Sequence, residues 1–155
     1  MKESLPTARE INPFDDLDGR EAERHFLGKT LDEAEALFRE KSLYYQEDLM
    51  WMGPVPFSFY LRAALSYLKS ASAQGDSDIV SCLCAVLEFH LQHDTEAVCK
   101  ASDSMAELCR YVLVAYNRFD VDETIYGDFR VKYRKILKQM GAEPPLATDP
   151  TKPAG

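Results

Sequence analysis

Apolar residues recur every three or four positions along most of this chain, which is the period of an α-helix. The segments that carry the pattern are separated by short breaks containing glycine, proline or aspartate. A short helix is expected first, over residues 18–27. Five substantial helices should follow over residues 31–41, 55–72, 77–92, 95–116 and 122–140. Because each has one apolar stripe to bury, the sequence predicts an all-α, single-domain antiparallel bundle of about five helices with short loops.

The strongest local signal marks the start of the first substantial helix. Thr30 and Glu33 have the spacing of a capping box, in which each side chain bonds the other residue's backbone N–H. The helix that begins there should run to about Lys41. Residues 42–53 either continue it or form a separate turn, because their composition is compatible with both.

Composition divides the chain into one central domain and two flanking segments. A length of 155 residues is typical of one domain, and 46% hydrophobic residues suffice for a core. Residues 1–13 are polar, contain two prolines and are expected to be flexible. Residues 14–141 carry the helical patterns and form the expected domain. Residues 142–155 are rich in proline and are expected to be disordered.

Several features favour a cytoplasmic protein that does not enter the membrane. The longest apolar stretches are about half of the ~20 residues that a membrane-spanning helix needs, and the first residues lack the apolar core of a secretory signal. Cys82, Cys84, Cys99 and Cys109 lie among apolar residues. In a reducing compartment they are expected to be free, buried thiols and not disulfides.

The net charge of −8 is concentrated near the middle of the chain. Residues 31–53 hold six acidic and two basic residues, whereas residues 120–141 hold four acidic and five basic ones. An acidic surface repels phosphate backbones, which disfavours nucleic-acid binding. A basic protein partner is compatible with this charge. The oligomeric state does not follow from it.

Motifs for catalysis and metal binding are incomplete. Residues 28–30 read Gly-Lys-Thr, but a phosphate-binding loop needs glycine where Glu23 stands. His90 and His93 lie one helical turn apart without a recognisable third ligand. A spatial pairing such as Cys109 with His90 stays open. We therefore predict no catalytic residue, no metal and no cofactor.

The densest aromatic cluster defines the candidate site. Residues 44–60 hold six of the 17 aromatic residues, beside two acidic ones. Tryptophan and tyrosine are enriched at protein interfaces. The rings either cap one end of the core or form a surface for a partner or ligand. The residues predicted for the second interpretation are Tyr44, Tyr45, Glu47, Asp48 and Trp51.

Two functions fit these observations. The first is a non-catalytic acidic helical binding protein, such as an immunity-type inhibitor or adaptor that engages a protein partner. The alternative is an enzyme or small-molecule-binding protein with an aromatic and acidic pocket between helices. A deep cavity with a strongly shifted carboxylate would favour the alternative, and a flat acidic and aromatic surface would favour the first.

Overall fold

The helical periodicity produces helices throughout the residues that the computed structural model describes, 4–145. Within that range there are nine α-helices and two short 3-10 turns, and no strand. The helices are α1 (Ala8–Ile11), α2 (Leu17–Phe26), α3 (Leu31–Tyr45), α4 (Asp48–Trp51), α5 (Pro54–Lys69), α6 (Ser77–His93), α7 (Thr95–Val114), α8 (Glu123–Tyr126) and α9 (Phe129–Gln139). The all-α class is confirmed. The number of helices exceeds the predicted five partly because three of them are single turns.

Helix α5 is the centre of the core. It packs against α7 on one side and α3 on another, and α1 and α4 also contact it. Its predicted apolar stripe is buried in full: Phe57, Tyr60, Leu61, Ala64, Leu65 and Leu68. The hydroxyl of Tyr60 donates to the backbone carbonyls of Phe26 and Lys29 at 2.8 and 2.9 Å, which fixes the end of α2 against α5.

Both interpretations of residues 42–53 are partly correct. Helix α3 does not end at Lys41, although the backbone there is non-helical (φ −152°, ψ 78°), and the helical turns resume as far as Tyr45. A separate turn, α4, then follows. The kink has a tertiary anchor, because the Ser42 hydroxyl donates to Asp76 Oδ2 at 2.5 Å and the Tyr67 hydroxyl reaches the same oxygen at 2.6 Å.

The last predicted helix is divided. Asp122 caps the single turn α8 and Asp128 caps α9, with Gly127 at positive φ (73°) between them. The predicted start at residue 122 therefore belongs to a shorter element. The predicted end at Gly141 is observed. Gly141 has φ 71°, and its N–H donates to the Lys138 carbonyl at 3.0 Å, as in a Schellman cap.

The segment before Pro13 packs on the domain. Thr7 and Glu10 form a capping box at α1, and Ile11 is completely buried. The N–H of Gly53 donates to the carbonyl of Glu10 at 3.2 Å. These residues were expected to belong to a flexible segment, but this part of it is structured. Residues 1–3 and 146–155, including most of the tail expected to be disordered, lie outside the described residues.

The four cysteines are free thiols with different exposure. Cys84 and Cys109 are buried as expected, but Cys82 is half-buried and Cys99 is exposed. Cys99 follows buried Ala97 by two positions in α7, which turns it about 200° away from the core. Within residues 4–145, no helix has the length and hydropathy to span a bilayer.

Candidate functional site

The end of α2 meets the start of α4 through a histidine–aspartate pair. His25 Nδ1 lies 2.6 Å from Asp48 Oδ2, and the two side chains are only 10% and 8% exposed. The two residues are 23 positions apart in the sequence. Helix α3 lies between them, and the chain after α3 comes back to the end of α2, where α4 begins. A bond this short and this buried is charge-assisted when Asp48 is ionised.

Two tyrosine rings and one glutamate hold the imidazole in place. The rings of Tyr44 and Tyr45 each stand edge-on to His25 with centroids 5.1 Å away. His25 Nε2 lies 3.3 Å from the Tyr44 hydroxyl and 3.6 Å from Glu21 Oε2. With the Nδ1 proton donated to Asp48, Nε2 is left to interact with the Tyr44 hydroxyl. The aspartate thus fixes the orientation of the histidine ring.

The carboxyl of Asp48 titrates far from its usual range. Burial raises the pKa of Asp48 to about 6, against the lowering effects of the His25 hydrogen bond and charge. The negative charges of Glu21 and Glu47 raise this pKa further. Asp48 therefore changes charge at mildly acidic pH, where most carboxyls of the chain are already ionised.

The pair lies in the wall of a small cleft of about 110 Å³ between α2 and α4. The lining residues are Asp18, Glu21, His25, Tyr44, Glu47, Asp48 and Trp51. Four of these seven are carboxylates, and none is lysine or arginine. A volume of this size accommodates a few waters or one small polar group, since a water occupies roughly 30 Å³ of liquid. Pockets for drug-sized ligands enclose about 300–1,000 Å³.

A wider groove of about 660 Å³ adjoins the cleft at the kink of α3. Its lining comprises residues 38–44 together with Glu47, Tyr67, Asp76 and Asp78. Tyr44 and Glu47 line both depressions, so these form one surface, which we call the acidic face. Its carboxylates are Asp18, Glu21, Glu40, Glu47, Asp48, Asp76 and Asp78, and its basic residues are Arg39 and Lys41.

Four of the five predicted site residues line this face and differ in exposure, and the fifth, Tyr45, does not line it but contacts the His25 ring. Tyr44 is 50% exposed and Glu47 is also exposed, whereas Asp48 is only 6% exposed. Tyr45 is half-buried, and its ring contacts Phe26. Trp51 is half-buried too.

Trp51 lies at the margin between the cleft and the partly buried Phe89. Its ring meets Phe89 edge-on at 5.5 Å. Its buried Nε1 has no hydrogen-bond partner among the described residues. Phe57 and Tyr60, from the same aromatic cluster, are fully buried. The core interpretation thus holds for part of the cluster, and Tyr44 and Glu47 are the members that face solvent most fully.

Sequence reasoning overlooked His25, which is the centre of the site. The available signal was the spacing of Glu21 and His25, which places both on one face of α2. His90, which was weighed instead, is a core residue. It stacks on Phe57 at 3.8 Å and its Nε2–H donates to the Leu49 carbonyl at 2.9 Å. Burial lowers the pKa of His90, which keeps it neutral.

Across residues 4–145 no three histidine, cysteine or acidic side chains are grouped so that they could hold a metal ion. Comparisons with protein-family models, curated proteins and solved structures find no match to this chain. The function of the chain is therefore inferred from the geometry of the acidic face.

Proposed function

We propose that this chain is a non-catalytic binding protein of the cytoplasm that holds a basic segment of a protein partner on its acidic face. An immunity-type inhibitor of a basic protein, or an adaptor, would act in this way. Binding at such a face needs charge complementarity and a few aromatic contacts, without a bound cofactor.

The observation that carries the proposal is the charge of the acidic face. Seven carboxylates line it against two basic side chains, and one of the two, Arg39, is already paired with Glu35. Neither Asp18 nor Glu47 forms an ion pair with a described residue. The field of this surface attracts and orients a cationic segment.

Exposed apolar groups accompany these charges. Leu43 is 55% exposed beside Tyr44 on the groove, and Leu17 is 77% exposed one turn before Glu21 on α2. A tyrosine ring contributes contact area and can stack on a guanidinium group. An amphipathic basic segment therefore fits the face better than a simple cation does.

Charge reversal at Glu47 tests the proposal with a defined probe. The probe is a capped peptide of alternating lysine and arginine with interspersed leucine, titrated by calorimetry at low and high salt. We expect wild type to bind with an affinity that falls as salt rises. Glu47→Lys should weaken binding at least about fivefold, because it replaces an attraction by a repulsion at close range.

Asp103→Lys is the matched control. Asp103 is exposed on α7 outside the acidic face, and its reversal changes the net charge by the same amount. It should leave the affinity near that of wild type. Equal losses in the two variants would show a non-specific charge effect and contradict the proposal, as would a failure of wild type to bind the peptide.

One observation favours the alternative function, an enzyme or small-molecule-binding protein. The Asp48 carboxylate orients the imidazole of His25 through Nδ1, and the Nε2 of the same ring is near the Tyr44 hydroxyl. This is the arrangement of a general base and its orienting group. Saturable binding of a small molecule that is lost in His25→Gln, and that displaces the basic peptide, would support this alternative. The cleft at His25 is too small for a drug-sized ligand, and such a ligand would have to extend into the adjoining groove of about 660 Å³.

A further inference from the structure

We propose that the His25–Asp48 pair is a proton-operated control of the acidic face: it takes up a proton in mildly acidic solution, and the face then holds a cationic segment less tightly. This inference rests on the proposed function and adds a mode of regulation to it. It depends on the position of a buried ionisable pair in the wall of the binding surface.

The pair joins two elements that both line the face. His25 belongs to α2 and Asp48 to α4, and both side chains are nine-tenths buried while still lining the cleft. A change in the charge of the pair therefore alters the electrostatic potential inside the cleft. Because little water surrounds the pair, that change is weakly screened.

The charged groups that face the pair are three carboxylates and one arginine. On α2 these are Glu21 and Arg24, which form an ion pair with each other. On α3 they are the phenols of Tyr44 and Tyr45, and on α4 Glu47 lies beside the pair. Asp18 completes the lining of the cleft. The two glutamates raise the pKa of Asp48 in addition to burial, which brings its titration to about pH 6.

Only one proton is taken up when the pair is protonated. Asp48 Oδ takes one proton from hydronium in the acidified solvent, which becomes water. Its bond with His25 Nδ1–H remains but loses the strength that the carboxylate charge gives it. The acidic face loses one negative charge, so its attraction for a basic segment falls.

Trp51 offers a measurement that needs no partner. It is the only tryptophan of the chain and lines the same cleft as Asp48. We expect its fluorescence to change with a midpoint near pH 6 in wild type. This transition should be absent in Asp48→Asn, which keeps an acceptor for His25 but cannot titrate. A transition that persists unchanged in Asp48→Asn overturns the proposal.

His93→Gln serves as the control for fluorescence. His93 is exposed, and its ring lies 4.7 Å from that of Phe89, which in turn contacts Trp51. It is therefore a second ionisable side chain close to Trp51. The transition should survive in this variant. If His93→Gln removes it and Asp48→Asn does not, the signal belongs to His93 and the proposal fails.

Binding of the lysine–arginine peptide at about pH 7.5 and about pH 5.5 tests the consequence. We expect wild type to lose roughly fivefold in affinity at the lower pH, as for one charge removed near a cation. Asp48→Asn should lose much less, because its side chain cannot take up the proton. Equal pH dependence in wild type and Asp48→Asn would overturn the proton-operated control but not the proposed function. If the peptide binds at neither pH, the proposed function fails and the control fails with it.

Discussion

Asp48 shows how one buried carboxyl can oppose folding. Its pKa is raised from 3.8 to about 6 in the folded protein, because burial disfavours the charged form more than His25 favours it. A group whose pKa is raised on folding stabilises the fold below its unfolded pKa. That contribution is lost as the pH rises through the folded value. At neutral pH the ionised carboxyl therefore costs stability, by an upper limit of about 3 kcal/mol for a shift of two units.

The variant Asp48→Asn should consequently be more stable than wild type at about pH 8, by roughly 1–3 kcal/mol. The asparagine oxygen can still accept the hydrogen bond from His25 Nδ1–H, while the buried charge is gone. The gain should shrink towards zero as the pH falls to about 4, where wild-type Asp48 is protonated too. Urea unfolding of both proteins across this range measures the difference.

Asp103→Asn is the control for this experiment, since Asp103 is exposed and its removal should change stability by less than about 0.5 kcal/mol. If Asp48→Asn is less stable than wild type at alkaline pH, the attraction between Asp48 and His25 outweighs the cost of burial.

At the residue scale, sequence predicted the region of the site but not its central group. Tyr44, Glu47 and Asp48 could be singled out because aromatic and acidic residues are concentrated there. His25 could not be linked to Asp48, because no local pattern records a contact across 23 residues. Whether Trp51 faces solvent or Phe89 also depends on how α4 and α6 pack, which composition does not encode.

The starts of α3, α6 and α7 were predictable because a cap is a local interaction. Thr30, Asp76 and Asp94 each accept a hydrogen bond from a backbone N–H three residues ahead, so all the necessary groups lie in one short stretch. The sequence placed the end of the first substantial helix at about Lys41, and the helical backbone does break there. No local pattern shows the tertiary anchor of that kink, which is the bond from Ser42 to Asp76, two residues separated by 34 positions.

The cap of α3 can be tested by Thr30→Ala. The variant should lose about 0.5–2 kcal/mol of unfolding free energy, because the N–H of Glu33 loses the acceptor that lies 3.2 Å away. Thr95→Ala is the matched control. Thr95 is exposed in the first turn of α7, whose cap is Asp94. Thermal unfolding of both variants should show the larger decrease for Thr30→Ala, and equal melting temperatures would mean that the cap contributes nothing.

At the scale of the whole molecule, the domain extends further towards the N-terminus than composition indicated. The first residues are mostly polar, so their average hydrophobicity suggested a flexible segment. Several contacts dock them: Pro6 and Ile11 are buried, the Asn12 amide donates to Glu23 Oε2 at 3.3 Å, and the Glu10 carbonyl accepts from Gly53. The approach is so close that a Cβ at Gly53 would lie 2.5 Å from that carbonyl oxygen.

The variant Ile11→Ala tests whether this docking stabilises the domain. Ile11 has no exposed surface, so its truncation should lower the unfolding free energy by about 2–5 kcal/mol through lost burial and the resulting cavity. Phe14→Ala removes a larger side chain that is 82% exposed, three residues away, and should change stability by less than about 0.5 kcal/mol. Urea unfolding with both variants beside wild type makes the comparison. If Ile11→Ala unfolds at the same urea concentration as wild type, α1 adds nothing to the stability of the domain. The part of the chain that contributes to stability then begins near residue 14, as composition suggested.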